Sequence, residues 1–138
     1  MKKIMITICF AVYIGILFYL LFFSAYRKSV EGVVSYNFIP FQTIGQYFYS
    51  FDGLALTDQF IGNMLAFAPF GFLLPIIFVM TLTRVLGYSF LLSLSVEFAQ
   101  FFFRVGAFDV DDLILNVAGG GIGFLGYIVI KKSRLISS

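Results

Sequence analysis

The chain alternates between long apolar runs and short polar connections. A bilayer crossing needs about 20 mostly apolar residues, and four runs reach that length: 4–25, about 60–82, 85–103 and about 113–130. The first run contains no charged residue, while Pro69 and Pro75 interrupt the second and predict kinks there. The pattern therefore predicts an all-α membrane protein, built as a bundle of four transmembrane helices.

The connection between the first two runs, residues 27–58, carries a pattern of its own. Within "IPFQTIGQYFYSF", large apolar residues recur at helical spacing: Phe41, Ile44, Tyr47, Phe48 and Phe51. Pro40 suits the first position of a helix. A stripe rich in Tyr and Phe is typical of a short helix lying in the membrane interface. A loop packed over the top of the bundle is the alternative, and the two are compatible.

The composition supports a membrane location. Of 138 residues, 61% are hydrophobic and 12% charged, whereas soluble domains carry about 25% charged residues. The length predicts a single transmembrane domain over residues 1–138. The first run is too long for a signal peptide and lacks a cleavage site, so we expect a retained anchor. The absence of His excludes imidazole metal sites and the commonest general base.

The distribution of Lys and Arg predicts the orientation of the bundle. With four crossings, one side holds six basic residues and no acid: Lys2, Lys3, Arg84, Lys131, Lys132 and Arg134. The other side holds Arg27, Lys28 and Arg104 against six acids: Glu31, Asp52, Asp58, Asp109, Asp111 and Asp112. Both termini are therefore predicted to be cytoplasmic, and the loops at 27–58 and 104–112 to face outward.

Polar residues concentrate in the outer half of the predicted bundle. Glu97, Gln100 and Arg104 are spaced to share one face of the third helix, and Asp112 and Asn116 share a face of the fourth. Glu97 lies about 9 Å inside the end of its helix. We expect one polar cluster at this depth, made of Asn63, Glu97, Gln100, Arg104, Asp112 and Asn116.

Two interpretations of this cluster stay open. Asn63 and Asn116 fit interhelical hydrogen bonds that hold the bundle together. An acid inside a transmembrane helix costs about 2.5 kcal/mol or more and is usually functional, which sets Glu97 apart. Pairing with Arg104 would offset part of that cost. Ser93 and Ser95 share no clear face with a base, so the pattern offers no well-placed nucleophile.

The run "DVDD" offers oxygen ligands for Mg²⁺ or Ca²⁺, but it lacks the pattern of a known calcium loop. We therefore interpret Asp109, Asp111 and Asp112 as a solvated acidic turn that partly caps the fourth helix. No metal site and no cofactor is predicted. In that helix, Gly119 and Gly123 form a G-x-x-x-G pair, which favours close helix packing over admission of a substrate.

Four stretches together resemble the VanZ-like family: "NFIPFQTI", "NMLAFAPFGFLLP", "SLSVEFAQFF" and "FDVDDLILNVAGGGIGF". They lie within residues 36–130. The family pattern falls on Asn37, Pro40, Phe41, Phe67, Pro69, Gly71, Phe72, Glu97, Gln100, Arg104, Asp109, Asp112, Asn116 and Gly119. Each motif is weak alone, but the ordered set is specific.

The resemblance implies a small bacterial integral membrane protein linked to low-level teicoplanin resistance, without a settled biochemical activity. Two functions follow as expectations. The first is a non-enzymatic factor that binds or shields a lipid-linked cell-wall precursor or a lipophilic glycopeptide at the outer leaflet. The second is an intramembrane enzyme using Glu97, Arg104 and Asp112. The first is favoured; the expected binding residues are Asn63, Glu97, Gln100, Arg104, Asp109, Asp112 and Asn116. Membrane lipids are the expected surroundings, and no nucleic-acid partner is expected.

Overall fold

The computed structural model describes residues 2–23, 32, 35–49 and 60–136. Within these residues the elements are α1 (Lys2–Phe23), β1 (Tyr36–Asn37), α2 (Gln42–Tyr49), α3 (Gly62–Phe78), α4 (Leu82–Phe103), β2 (Phe108–Asp109) and α5 (Val110–Ile136). The predicted helical fold class is confirmed. The two-residue strands were not predicted; they pair in parallel, with Tyr36 opposite Phe108 and Asn37 opposite Asp109.

Within the described part of the chain, three helices are long and apolar enough to cross a membrane. The spans are Ile4–Phe23, Leu82–Phe103 and Val110–Ser133. They correspond to the first, third and fourth predicted runs. The chain is thus a helical membrane protein with three candidate spanning helices, and the predicted bundle of four crossings is not confirmed.

The second predicted run forms a shorter helix than its apolar length suggests. α3 has 17 residues, which gives about 26 Å at 1.5 Å per residue, against about 30 Å of hydrocarbon. It begins at Gly62, and it ends where Val79 adopts a left-handed conformation with φ 52°. Pro69 and Pro75 both lie inside the helix, and the kinks expected there stay predictions.

α3 and α5 pack with their backbones in contact. A Cβ atom added at Gly119 would overlap the carbonyl oxygen of Met64, and one at Gly123 would overlap that of Ala68. Only a hydrogen atom fits at either position, which confirms the predicted packing role of the G-x-x-x-G pair. Gly126, one turn further, has room, since an added Cβ would lie 3.7 Å from its nearest neighbour.

α1 lies against the other helices through two apolar clusters. One contains Leu17, Leu21, Phe67 and Val96, and the other contains Phe70, Leu74, Val85 and Phe124, with Phe10 packed against it. The Tyr13 hydroxyl also donates to the carbonyl oxygen of Ala66 at 2.6 Å. The rest of α1, including Cys9, is largely exposed, as a helix that faces lipid should be.

These contacts place four helix ends at one end of the bundle: the last turns of α1 and α4 and the first turns of α3 and α5.

Candidate functional site

At this end of the bundle, three polar side chains from three elements form a closed hydrogen-bonded group. The amide nitrogen of Asn37 donates to Thr43 Oγ1 and to Asp109 Oδ1, each at 3.0 Å. The Thr43 hydroxyl donates to Asp109 Oδ2 at 2.6 Å. Asp109 Oδ1 also accepts the backbone N–H of Asp111 at 2.9 Å and so caps the start of α5. The predicted capping by the acidic run is confirmed at this residue.

Asp111 is fully buried, with a relative exposure of 0%. Its two carboxylate oxygens accept the backbone N–H groups of Phe41 at 2.6 Å and Ile44 at 3.0 Å. Phe41 immediately precedes α2 and Ile44 lies in its first turn, where N–H groups lack partners within the helix. A carboxylate from α5 thus caps α2. The prediction of a solvated acidic turn is wrong at Asp111, because the turn lies beneath α2.

The predicted short helix in the first connection is present as α2, and Asp111 docks it on the end of the bundle. Phe41 is 65% exposed and has a left-handed backbone with φ 65°. Ile44 is half-buried. The rest of the predicted apolar stripe involves the side chains of Tyr47 and Phe48 and residue 51, which lie outside the described part. The location of α2 in the membrane interface stays a prediction.

Glu97 is buried beneath the Asn37–Thr43–Asp109 group, with a relative exposure of 1%. Its Oε2 accepts the backbone N–H of Asp109 at 3.1 Å, and the residue takes part in further contacts. A carboxylate in the interior of a helical bundle is costly unless hydrogen bonds compensate it. Glu97 therefore links the buried face of α4 to the turn that begins α5.

Arg104 does not continue the helix face of Glu97, so the prediction that these two side chains share one face is wrong. α4 ends at Phe103, and Arg104 has φ 56° and ψ 37°, which is the left-handed conformation. This turn takes the Arg104 side chain off the buried face and leaves it exposed. Between these two described residues no ion pair forms. Arg104 instead presents its guanidinium group at the surface of the same end of the bundle.

The predicted facing of the helices is confirmed by two hydrogen bonds to α5. Asn63 of α3 donates to Asp112 Oδ1 at 2.6 Å. One turn further into the bundle, Asn116 donates to the Ser93 hydroxyl oxygen of α4 at 2.8 Å. Asn116 is 2% exposed and Ser93 is 0% exposed. Asn63, Asp112 and Asn116 therefore lie together between α3, α4 and α5, in contact with the helices that the spacing indicated.

Gln100 is buried but points to a different neighbour. Its amide nitrogen donates to the carbonyl oxygen of Leu21 at 2.8 Å. Leu21 is in the last turn of α1, where carbonyl groups lack helical partners, so Gln100 caps α1. Within the described part, three buried polar atoms have no hydrogen-bond partner: Ser89 Oγ, Gln100 Oε1 and Asn116 Oδ1.

Sequence reasoning missed four residues of this region. Ser89 and Ser93 are fully buried on the face of α4 that carries Glu97. The prediction that Ser93 shares no clear face with a base is therefore wrong, and the spacing of four between Ser93 and Glu97 was the available signal; Ser95 is exposed, as a residue off this face should be. Thr43 and the buried role of Asp111 depend on contacts between distant segments and left no signal in local spacing.

The described residues of the site are rich in carboxylates, but they are not arranged as a metal centre. Among the described residues, no group of three or more His, Cys, Asp or Glu side chains is placed to hold a metal ion. Both oxygens of Asp109 and both of Asp111 accept hydrogen bonds. These two carboxylates therefore act as fixed acceptors that join β1, α2 and α5.

These features define a small helical membrane protein with a polar layer of carboxylates and amides at one end of its bundle. The family described as VanZ/LLP1 matches residues 10–131, and the chain belongs to this family. It is similar to "Protein VanZ" of Enterococcus faecium, with 30% identity over 138 residues, 96% of this chain and 79% of that protein. No solved structure matches the chain.

Proposed function

We propose that this protein is a bacterial cell-membrane protein that lowers susceptibility to teicoplanin by binding at the outer leaflet, without catalysing a reaction. Membership of the VanZ/LLP1 family supports the resistance function. In this proposal α3 is a fourth, short crossing, and both termini are cytoplasmic. The polar end of the bundle then faces outward, toward a lipid-linked cell-wall precursor or the drug itself.

The observation that carries a binding role is the incompletely paired polar interior. Gln100 and Asn116 are buried, and the side-chain amide oxygen of each has no hydrogen-bond partner within the described part. A buried polar atom without a partner costs about 1–3 kcal/mol. Such a cost is most readily explained where the polar groups serve binding as well as packing. Arg104, exposed at the same end, adds a cation suited to phosphate or carboxylate groups.

The choice of drug has a physical basis. An acyl chain gains about 0.8 kcal/mol for each CH₂ group it buries. Teicoplanin carries such a chain and is therefore concentrated in the outer leaflet, where the polar layer would meet either the drug or the precursor. A glycopeptide without an acyl chain is not held there. We therefore expect protection against teicoplanin to exceed protection against vancomycin.

The test is expression in a sensitive Gram-positive host. The parent should raise tolerance to teicoplanin more than to vancomycin. Glu97→Gln, Asp112→Asn and Arg104→Gln should each abolish the increase while the protein remains detectable in membranes. Phe90→Leu is the matched control, because Phe90 is 45% exposed on the side of α4 that points away from the bundle. Full protection by the three polar variants would refute the assignment of the site.

An enzymatic function is the second candidate, favoured by one arrangement. The buried Ser93 hydroxyl, bonded to Asn116, lies one helical turn from Glu97. A hydroxyl near a carboxylate is the minimum for nucleophilic catalysis. Mass spectrometry of the drug and of envelope lipids from expressing cells separates the two functions. A covalently altered product that disappears in Ser93→Ala would establish the enzyme, and unaltered drug and lipids would support binding.

A further inference from the structure

Four aromatic rings in contact form a continuous surface beside the polar site, with Tyr36, Phe38 and Phe98 exposed and Phe108 half-buried. The ring centroids of Tyr36 and Phe38 lie 5.4 Å apart, those of Phe38 and Phe108 5.4 Å, and those of Phe108 and Phe98 5.5 Å. Contacts at these distances are favourable between aromatic side chains. We name the surface made by these four residues the aromatic ledge. It connects β1, β2 and α4.

The aromatic ledge is exposed although it is strongly apolar. Tyr36, Phe38 and Phe98 have relative exposures of 67%, 64% and 59%. Ile39 and Phe41, next to it in the chain, are 62% and 65% exposed. Contiguous apolar surface of this kind in a protein marks contact with a membrane or a partner.

The ledge is continuous with the exposed apolar surface of a candidate membrane span. Phe98 belongs to α4, one of the three candidate spans. Phe102 and Phe103, one turn further along α4, are 80% and 65% exposed. Ring contacts extend the exposed surface of that span through Phe98 and Phe108 to Phe38. This continuity selects lipid, rather than a protein partner, as the occupant of the ledge.

The local backbone explains how one segment serves both lipid and site. Side chains alternate between the two faces of a strand. Tyr36 and Phe38 flank Asn37, whose amide nitrogen is bonded to Asp109. Opposite them, Phe108 precedes Asp109 in β2. The paired strands thus separate an aromatic side from a hydrogen-bonding side.

We propose that the aromatic ledge inserts into the lipid bilayer at the boundary between acyl chains and headgroups. Aromatic side chains are enriched at this level, and interfacial segments bury their apolar face to a depth of about 5–10 Å. The Asn37–Thr43–Asp109 group then lies at headgroup level. A ligand of the site must present its polar part there, with any apolar part beside the ledge. The insertion of the ledge does not rest on the proposed function, whereas the statement about a ligand does.

The absence of Trp from the chain allows a direct test. Phe38→Trp and Tyr36→Trp each place a single fluorescent probe on the ledge. Ile122→Trp is the reference, because Ile122 is 50% exposed midway along the span Val110–Ser133. Each variant is reconstituted in phosphatidylcholine vesicles brominated either near the ester end of the acyl chain or near the bilayer centre.

Both ledge probes should lose more emission to the shallow bromines than to the deep ones, and Ile122→Trp should show the opposite order. Aqueous iodide should quench the ledge probes weakly. Strong quenching by iodide together with no loss to either lipid would overturn the proposal. Protection from all three quenchers would assign the ledge to a protein partner or a second copy, and would overturn it as well. If one ledge variant fails to fold, the other decides.

Discussion

A single methyl group at Gly123 should test whether α3 and α5 are in backbone contact. In Gly123→Ala the new Cβ overlaps the carbonyl oxygen of Ala68. This oxygen belongs to the helix backbone, so no side-chain rotation relieves the overlap. The two helices must move apart, and the packing on both sides of the contact loosens.

The size and sign of the effect follow from two opposing terms. Overpacking a filled contact costs about 1–3 kcal/mol, with the upper end expected where backbone atoms collide. Replacing Gly by Ala in a helix contributes about 1 kcal/mol in favour of folding. The net expectation is a loss of about 2 kcal/mol in the free energy of unfolding.

Gly126→Ala is the matched control in the same helix. Its Cβ would lie 3.7 Å from a ring carbon of Phe72, an ordinary van der Waals distance. The propensity term then acts alone, and stability should stay equal or rise by up to about 1 kcal/mol. Both variants are compared with the parent by reversible unfolding in mixed detergent micelles, followed by circular dichroism. If Gly123→Ala is as stable as Gly126→Ala, the backbone contact is not made.

Two further predictions concern α2 and the orientation of the chain. Asp111→Asn should lower the free energy of unfolding by about 1–3 kcal/mol, because the NH₂ group of the new Asn side chain would face a backbone N–H donor. Amide hydrogen exchange should then accelerate in α2 while α5 stays protected. Unchanged exchange in α2 would refute the capping role. In a Cys9→Ser background, Ser35→Cys should react with an impermeant thiol reagent in intact cells, and Thr83→Cys and Ser133→Cys should not. The reverse labelling would invert the proposed topology.

Local periodicity along the chain determined much of the fold. The apolar runs predicted α1, α4 and α5, because helices that face lipid must be apolar over their whole length. The spacing of Gly119 and Gly123 predicted a packing stripe, and that of Asp112 and Asn116 predicted one face between neighbouring helices. Each pattern repeats within a single helix, so its geometric meaning does not depend on distant residues.

Tertiary structure decided the features that depend on where a helix stops and what lies across from it. Arg104 follows Glu97 at helical spacing, yet its own left-handed backbone at the end of α4 takes the Arg104 side chain to the surface. Asp111 resembles a residue of a solvated turn, yet its carboxylate is buried against two N–H groups from a segment about 70 positions earlier. Helical spacing determines a side chain's face only while the helix continues, and burial depends on elements that the local sequence does not contain.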